Sequence, residues 1–274
     1  MFAGIIKSVI KRRTWDAVYI KKIPLMIIFL GISNVSILKA QDSASVAYQP
    51  IAGFSINSGL RYLVVKDEYI SMEKYSGSFA FFALDWTKYH ETYYFDFNFD
   101  FISAAKINNY NVSANVTELD LSLSYLYPIS TLNILNRKVQ FYLGPMPELF
   151  YHYRYENIAM LPSSKTLLIS AGIRIDMFYP IDRRWNIESH MQSTIISLNQ
   201  GELSDPGTGG ASSQSEIITL LSGLRYSFSA AVRYLLIKNI SIKAGYQYNL
   251  VRSTAWDYFI SSSDNLTASL TYSF

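Results

Sequence analysis

From residue 55 to the end, apolar and polar positions alternate with a period of two, and the alternation restarts about ten times between polar, turn-rich connections. Successive side chains of a strand point to opposite faces, so each such run predicts a strand with one apolar and one polar face. The sharpest case is YYFDFNFDF, Tyr93 to Phe101. Tyr93, Phe95, Phe97, Phe99 and Phe101 share one face, and Asp96, Asn98 and Asp100 share the other. In Ser55–Val65, Ile56, Leu60, Tyr62 and Val64 oppose Asn57, Gly59 and Arg61. Val116–Tyr127 sets Leu119, Leu121, Leu123 and Tyr125 against Glu118, Asp120, Ser122 and Ser124. Thr166–Met177 sets Leu167, Ile169, Ile173 and Ile175 against Ser170, Gly172, Arg174 and Asp176. The same alternation runs through Arg184–Ile195, a long Ile217–Leu236, Ile240–Leu250 and Leu266–Phe274. Ser76–Trp86 has no clear phase, because Phe81 and Phe82 are adjacent, and Pro145 and Pro147 predict a bulge or bend in Val139–Tyr151.

Ten strands of about 10 to 12 residues match the length a tilted strand needs to cross a bilayer. The connections alternate as well. Lys66–Lys74, Ala104–Asn115, Arg154–Lys165, Leu198–Ser215 and Arg252–Asn265 read as long loops, whereas Thr87–Glu91, Tyr179–Arg183 and Ile237–Asn239 read as short turns. Pro128–Lys138 breaks the rule as a long connection on the short-turn side. GELSDPGTGGASSQS, from Gly201, reads as a mobile Gly/Ser-rich loop. Short turns at one end and long loops at the other are the signature of an all-β transmembrane antiparallel up-and-down barrel. The expected count is ten strands, with eight or twelve as alternatives. A soluble sandwich would carry many Lys and Glu on the polar faces, and here those faces are mostly Ser, Thr, Asn, Gly and Gln.

The first forty residues follow another logic. Lys11, Arg12, Arg13, Lys21 and Lys22 precede an apolar run from Ile23 to Leu38, and Ala40 offers a small residue for cleavage. That order reads as a signal peptide over residues 1–40. A short periplasmic segment, 41–53, and a barrel domain, 54–274, then follow. Residues 1–40 hold seven of the 24 basic residues and one of the 21 acidic ones, so the remainder is net acidic and the pI of 8.8 belongs to the leader. Nucleic-acid binding is not expected. The absence of cysteine removes disulfides, thiolate metal sites and thiol nucleophiles. The three histidines lie on different segments, so neither a metal site nor a cofactor is expected.

If the aromatic faces meet lipid, the polar faces meet a lumen. Asp96, Asp100, Glu118 and Asp120 then build an acidic wall on neighbouring strands, with Arg61, Arg174, Arg225, Arg233 and Lys243 as the basic counterparts, and Glu188 and His190 on the same inward face. Ten strands close into a narrow barrel, so these groups are expected to pair into a polar core. A small water-filled pathway is the alternative, and His190 is expected to bond Glu188 or Gln192.

The chain ends LTASLTYSF, with Leu266, Leu270, Tyr272 and Phe274 on one face. It resembles the C-terminal strand of bacterial outer-membrane β-barrel proteins, in which a terminal aromatic and another two residues earlier belong to the signal read by the assembly machinery. Leu270, Tyr272 and Phe274 match that pattern; Ser269 stands where a glycine is common. The resemblance implies export, outer-membrane insertion through that machinery and contact with outer-membrane lipid. Outer-membrane phospholipases and deacylases place a Ser shortly after a His on the barrel, and SHMQS, Ser189 to Ser193, is the nearest match. His190 and Ser193 differ in parity, so they would point to opposite sides of the wall. Omptin proteases pair Asp–His with a second acidic pair near the extracellular rim; His152 lies near such a rim without identifiable acids. The leading expectation is therefore a non-enzymatic outer-membrane barrel with a structural or interaction role, accessory to envelope assembly or export through a protein partner. A narrow channel for small polar solutes comes second and a barrel-embedded lipid hydrolase or protease third.

Overall fold

The computed structural model describes residues 52–67, 71–90, 92–109, 112–156, 163–205, 210–219, 223–253 and 259–274. The expected signal peptide and nearly all of the segment 41–53 lie outside these. Eleven strands follow in order: β1 Gly53–Asp67, β2 Ser71–His90, β3 Tyr93–Asn108, β4 Ser113–Ile134, β5 Arg137–Glu156, β6 Ser163–Pro180, β7 Trp185–Asp205, β8 Gly210–Thr219, β9 Gly223–Ile237, β10 Ile240–Ser253 and β11 Phe259–Ser273. Ten of them close a ring of antiparallel neighbours: β1 to β7 in sequence, then β9, β10 and β11, which returns to β1. β8 stands outside the ring order and pairs with the loop-side half of β7. The expected single strand Ile217–Leu236 is thus split between β8 and β9.

Following the register once around the ring from Gly53, and continuing the β4–β5 and β7–β9 registers by one or two residues, leads back to β1 at Val65 instead of Gly53. That displacement is the shear that tilts strands against a barrel axis, and the closure of only ten strands keeps the bore narrow. Neighbouring strands come very close at two glycines: a Cβ on Gly59 would overlap the carbonyl oxygen of Leu266, and one on Gly144 that of Tyr125.

The two faces separate as the alternation predicts. Phe54, Ile56, Leu60 and Tyr62 on β1 are exposed outward, as are Leu266, Leu270 and Tyr272 on β11, whereas Asn57 and Arg61 are buried inside. β2 resolves its phase with Phe82 and Trp86 outward and Phe81, Ala83 and Asp85 inward. An apolar outer surface this continuous has no counterpart on a soluble monomer and fits a lipid-facing wall. At the turn end the wall carries a girdle of rings: Trp86 packs edge-on to Phe95 at 5.4 Å, Tyr93 lies 6.2 Å from Tyr125 and from Tyr127, and Trp185 lies 4.5 Å from Tyr234. Such aromatic belts form where one side of the ring is wet and the other apolar.

Several connections differ from expectation. The strands continue well beyond 12 residues, because ladder hydrogen bonding persists after the apolar alternation has ended. Ala104–Asn115 is mostly strand: the ends of β3 and β4 are joined at Asn109, which accepts the Val112 amide on its side chain at 2.8 Å and donates its own amide to Val112 O at 3.0 Å. Pro128–Lys138 is a hairpin closed at Leu135 and Asn136, with φ of 49° and 63°. Both residues are left-handed, as a two-residue hairpin turn requires. Pro145 and Pro147 make no bulge, since β5 keeps one register with β6 from Gln140 to Arg154. The Gly201 stretch is strand over Gly201–Asp205 and from Gly210 onward.

Candidate functional site

The lumen begins, at the turn end, with an aromatic seal. Tyr94, Leu126, Tyr142 and Phe178 form one buried cluster, with Tyr94 edge-on to Tyr142 at 5.1 Å and to Phe178 at 5.9 Å. Tyr94, of opposite parity to the outward-facing Tyr93, faces inward and is buried.

Two residues further along β3, Asp96 opens a layer of charge. Arg174 reaches from β6, past β4 and β5, to bond Asp96, and its Nε and Nη2 donate to the two oxygens of Asp176 at 2.7 and 2.9 Å. Tyr94 donates to Asp176 from the seal below, and Thr87 donates to Asp96 at 3.0 Å. On the other wall, Arg233 of β9 donates to Glu188 of β7 at 3.0 Å, and Lys243 lies 3.9 Å from Asp85, which also accepts from Asn98. His190 bonds Ser229 at 2.8 Å and not Glu188 or Gln192, because β9 presents Ser229 directly opposite it.

A second charged layer follows. Arg61 of β1 bonds Asp100 of β3, lies 3.8 Å from Glu118 of β4, and donates through Nε to Asn265 at 2.9 Å. Arg225 of β9 crosses to Asp120 of β4 and lies 3.1 Å from Glu148 of β5. Gln192 supports Glu148 at 3.4 Å. Both guanidinium groups lie over rings, Arg61 on Phe81 at 4.5 Å and Arg225 on Phe150 at 4.6 Å. Cation–π contacts of this kind strengthen when desolvated. The space left between Arg61, Asp100, Asp120 and Arg225 is a cavity of about 20 Å³, room for a single water.

Beyond this layer the lumen turns apolar. Leu63, Val65, Tyr75, Ile107, Val116 and Phe259 pack with neighbours into a buried cluster at the loop end. Arg154 is buried among them with its guanidinium 4.2 Å over the Tyr75 ring. A one-residue irregularity in β3 at Ala104, φ 50°, shifts the parity so that Ala105 and Ile107 face inward. A similar shift in β7 after Thr194 does the same for Ser197 and Asn199.

Every expected network residue therefore lies inside the barrel: Arg61, Asp96, Asp100, Glu118, Asp120, Arg174, Glu188, Arg225, Arg233 and Lys243 each have an opposite charge within ion-pair distance, and His190 a serine. Sequence reasoning missed Asp85, Glu148, Asp176, His152 and Arg154 as members. Asp176 shares parity with Arg174 and was readable; Asp85 was hidden by the Phe81–Phe82 ambiguity and Glu148 by the prolines beside it.

The histidine environments bear on catalysis. His152 Nδ1 bonds Glu118 at 2.9 Å, and the Ser261 hydroxyl donates to the same carboxylate oxygen at 3.3 Å. Acid, base and hydroxyl are adjacent, but the hydroxyl addresses the acid and not the imidazole, the reverse of an activated nucleophile. Ser229 does address His190, yet no carboxylate among the described residues hydrogen-bonds that ring. Ser193 faces outward and donates to Thr194 O at 3.4 Å. No group of three or more candidate metal ligands occurs among the described residues.

No protein-family model matches the chain, and no curated protein matches its sequence. Solved structures do match. Outer membrane protease OmpT from Escherichia coli superposes with a TM-score of 0.53 at 10% identity, over 81% of this chain and 96% of that one. The transport unit of the autotransporter AIDA-I from Escherichia coli gives 0.43 at 10% identity, over 85% and 93%. Neisserial surface protein A gives 0.33 at 14% identity, over 82% and 100%. The fold is that of the bacterial outer-membrane β-barrels.

Proposed function

We propose that this chain is an integral outer-membrane barrel with a structural or interaction role, an accessory of an envelope assembly or export system, and that its lumen does not conduct solutes. The observation that carries the reading is the filling of the bore. An aromatic seal, two layers of interlocked charge and an apolar cap follow one another along the axis. Ion pairs that join opposite walls remove the cost of charges in a dry interior, and they also brace the barrel against deformation. What remains for function is the outside: the lipid-facing wall, the turn-end rim and the loop end.

The proposed location follows from the outward apolar band, the aromatic girdle and the C-terminal Tyr272–Phe274 pair. The test is reconstitution of the folded protein into liposomes, with swelling followed in isosmotic glycine, glucose and arabinose. Swelling no faster than protein-free liposomes is expected. Swelling that scales inversely with solute size would replace the closed-barrel reading with a channel. Fractionation with the outer membrane, and faster migration of unboiled than boiled protein, checks the location and the barrel.

A further inference from the structure

The turn-end rim carries a cluster of cations whose setting has no counterpart inside the barrel. The β6–β7 turn contributes Arg183 and Arg184, and the β9–β10 turn contributes Lys238. β7 and β9 are paired neighbours: Trp185 lies opposite Tyr234, and the Leu235 amide donates to Arg184 O at 2.8 Å. The two turns therefore lie at the same end of adjacent strands, with Arg183 and Arg184 on one and Lys238 three residues beyond Leu235 on the other. All three are exposed.

The acid in the same turn is Asp182. Asp182 Oδ1 accepts the backbone amides of Arg184 at 2.6 Å and Trp185 at 2.8 Å, which fixes the turn. Among the described residues no carboxylate lies within ion-pair distance of Arg183, Arg184 or Lys238. The loop end treats a surface cation differently, setting Lys165 3.2 Å from Glu202.

Immediately on the barrel side of the cluster the surface becomes amphiphilic. The Trp185 and Tyr234 rings pack 4.5 Å apart, Arg184 Nη1 donates to the Tyr234 hydroxyl at 3.4 Å, and Leu236 and Ile237 are exposed beside them. Cations directly above an aromatic and aliphatic wall match a molecule with phosphate at one end and hydrocarbon at the other. Aromatic rings sit at headgroup level, and basic pockets on such rims take anionic headgroups.

We infer that Arg183, Arg184 and Lys238, with Trp185 and Tyr234, form a binding site for the phosphodiester headgroup of an anionic glycerophospholipid in the leaflet that the turn end meets. The inference rests on the outer-membrane reading of the barrel. The phosphate oxygens accept from the guanidinium and ammonium groups, and the acyl chains lie along Leu236, Ile237 and Trp185. No covalent step is involved.

The experiment uses native mass spectrometry of the full chain in detergent, titrated with cardiolipin, phosphatidylglycerol or phosphatidylcholine of matched chains. The variants are R183Q/R184Q/K238Q, the singles R184Q and K238Q, and the loop-end control K106Q/K165Q. Retention of cardiolipin and phosphatidylglycerol over phosphatidylcholine is expected. The triple variant is expected to weaken anionic retention by about 100-fold and each single by about 5-fold, with the control unchanged. Higher salt should weaken it further. Equal retention by wild type and the triple variant would overturn the site, as would equal affinity for phosphatidylcholine. Displacement by millimolar inorganic phosphate would show an ion site and not a lipid one. Each variant's unboiled mobility on a gel reports the barrel separately, and the single variants answer the question if the triple fails to fold. Failure of the location reading would appear in fractionation, independently of lipid retention.

Discussion

Replacing Arg225 with methionine takes away the guanidinium that Asp120 and Glu148 share across the bore. The Arg225 side chain is 4% exposed and that of Glu148 0%, so the carboxylate left behind has no route to bulk water. Asp120 is 22% exposed and can be partly solvated. Breaking a buried pair by removing one partner costs about 3–5 kcal/mol, chiefly because of the charge left uncompensated. Methionine keeps most of the packing on Phe150, so the loss reports charge more than volume. If the lumen were a water-filled pathway, the same pair would be worth about 0–1 kcal/mol, as surface pairs are. The assay is urea unfolding of the refolded barrel in lipid vesicles, followed by tryptophan fluorescence. With a slope of about 3 kcal/mol per M, R225M should lower the midpoint by about 1–1.7 M. Adding D120N and E148Q to R225M should restore most of that loss, since the orphaned charges go too. A shift below about 0.3 M for R225M alone, with no recovery in the triple variant, would refute a dry, interlocked lumen.

Other sites give independent checks. Phe99→Arg puts a cation on the outward face of β3, and should cost about 2–4 kcal/mol in vesicles if that position lies near the bilayer midplane. Gly144→Val should prevent formation of the fast-migrating folded band, because its Cβ would meet the Tyr125 carbonyl on β4. Phe274→Ala should lower the folded fraction in cells while leaving the urea midpoint of the purified barrel within about 1 kcal/mol, since the side chain is exposed at the chain end. His190→Ala removes a bond to Ser229 alone among the described residues and should leave any lipase or protease activity unchanged.

The wall of this barrel was legible because parity is a local property. Phe95, Phe97 and Phe99 announce their face without reference to any other strand, and so do Leu119, Leu121 and Leu123. Membership of the lumenal network was legible to the same extent, which is why Asp96, Glu118 and Arg174 could be placed inside from spacing. Which acid meets which base was not, because Arg174 to Asp96 and Arg225 to Asp120 depend on closure and shear, which are set by the whole ring. The apolar cap was invisible for a different reason. Leu63, Val65 and Val116 break the polar-inside rule on which the reading depended, and only the closed ring shows them meeting. The tight turn at Leu135 and Asn136 was missed because it lacks the glycine that usually marks two consecutive left-handed residues.

The most direct test is single-channel recording of the purified barrel in a planar bilayer. A bore filled by the Tyr94 seal, the Arg174 and Arg225 pairs and the Leu63 cap predicts no steady conductance steps across the accessible voltage range. Reproducible ohmic steps from heat-modifiable, folded protein would show a continuous water path and contradict the closed lumen.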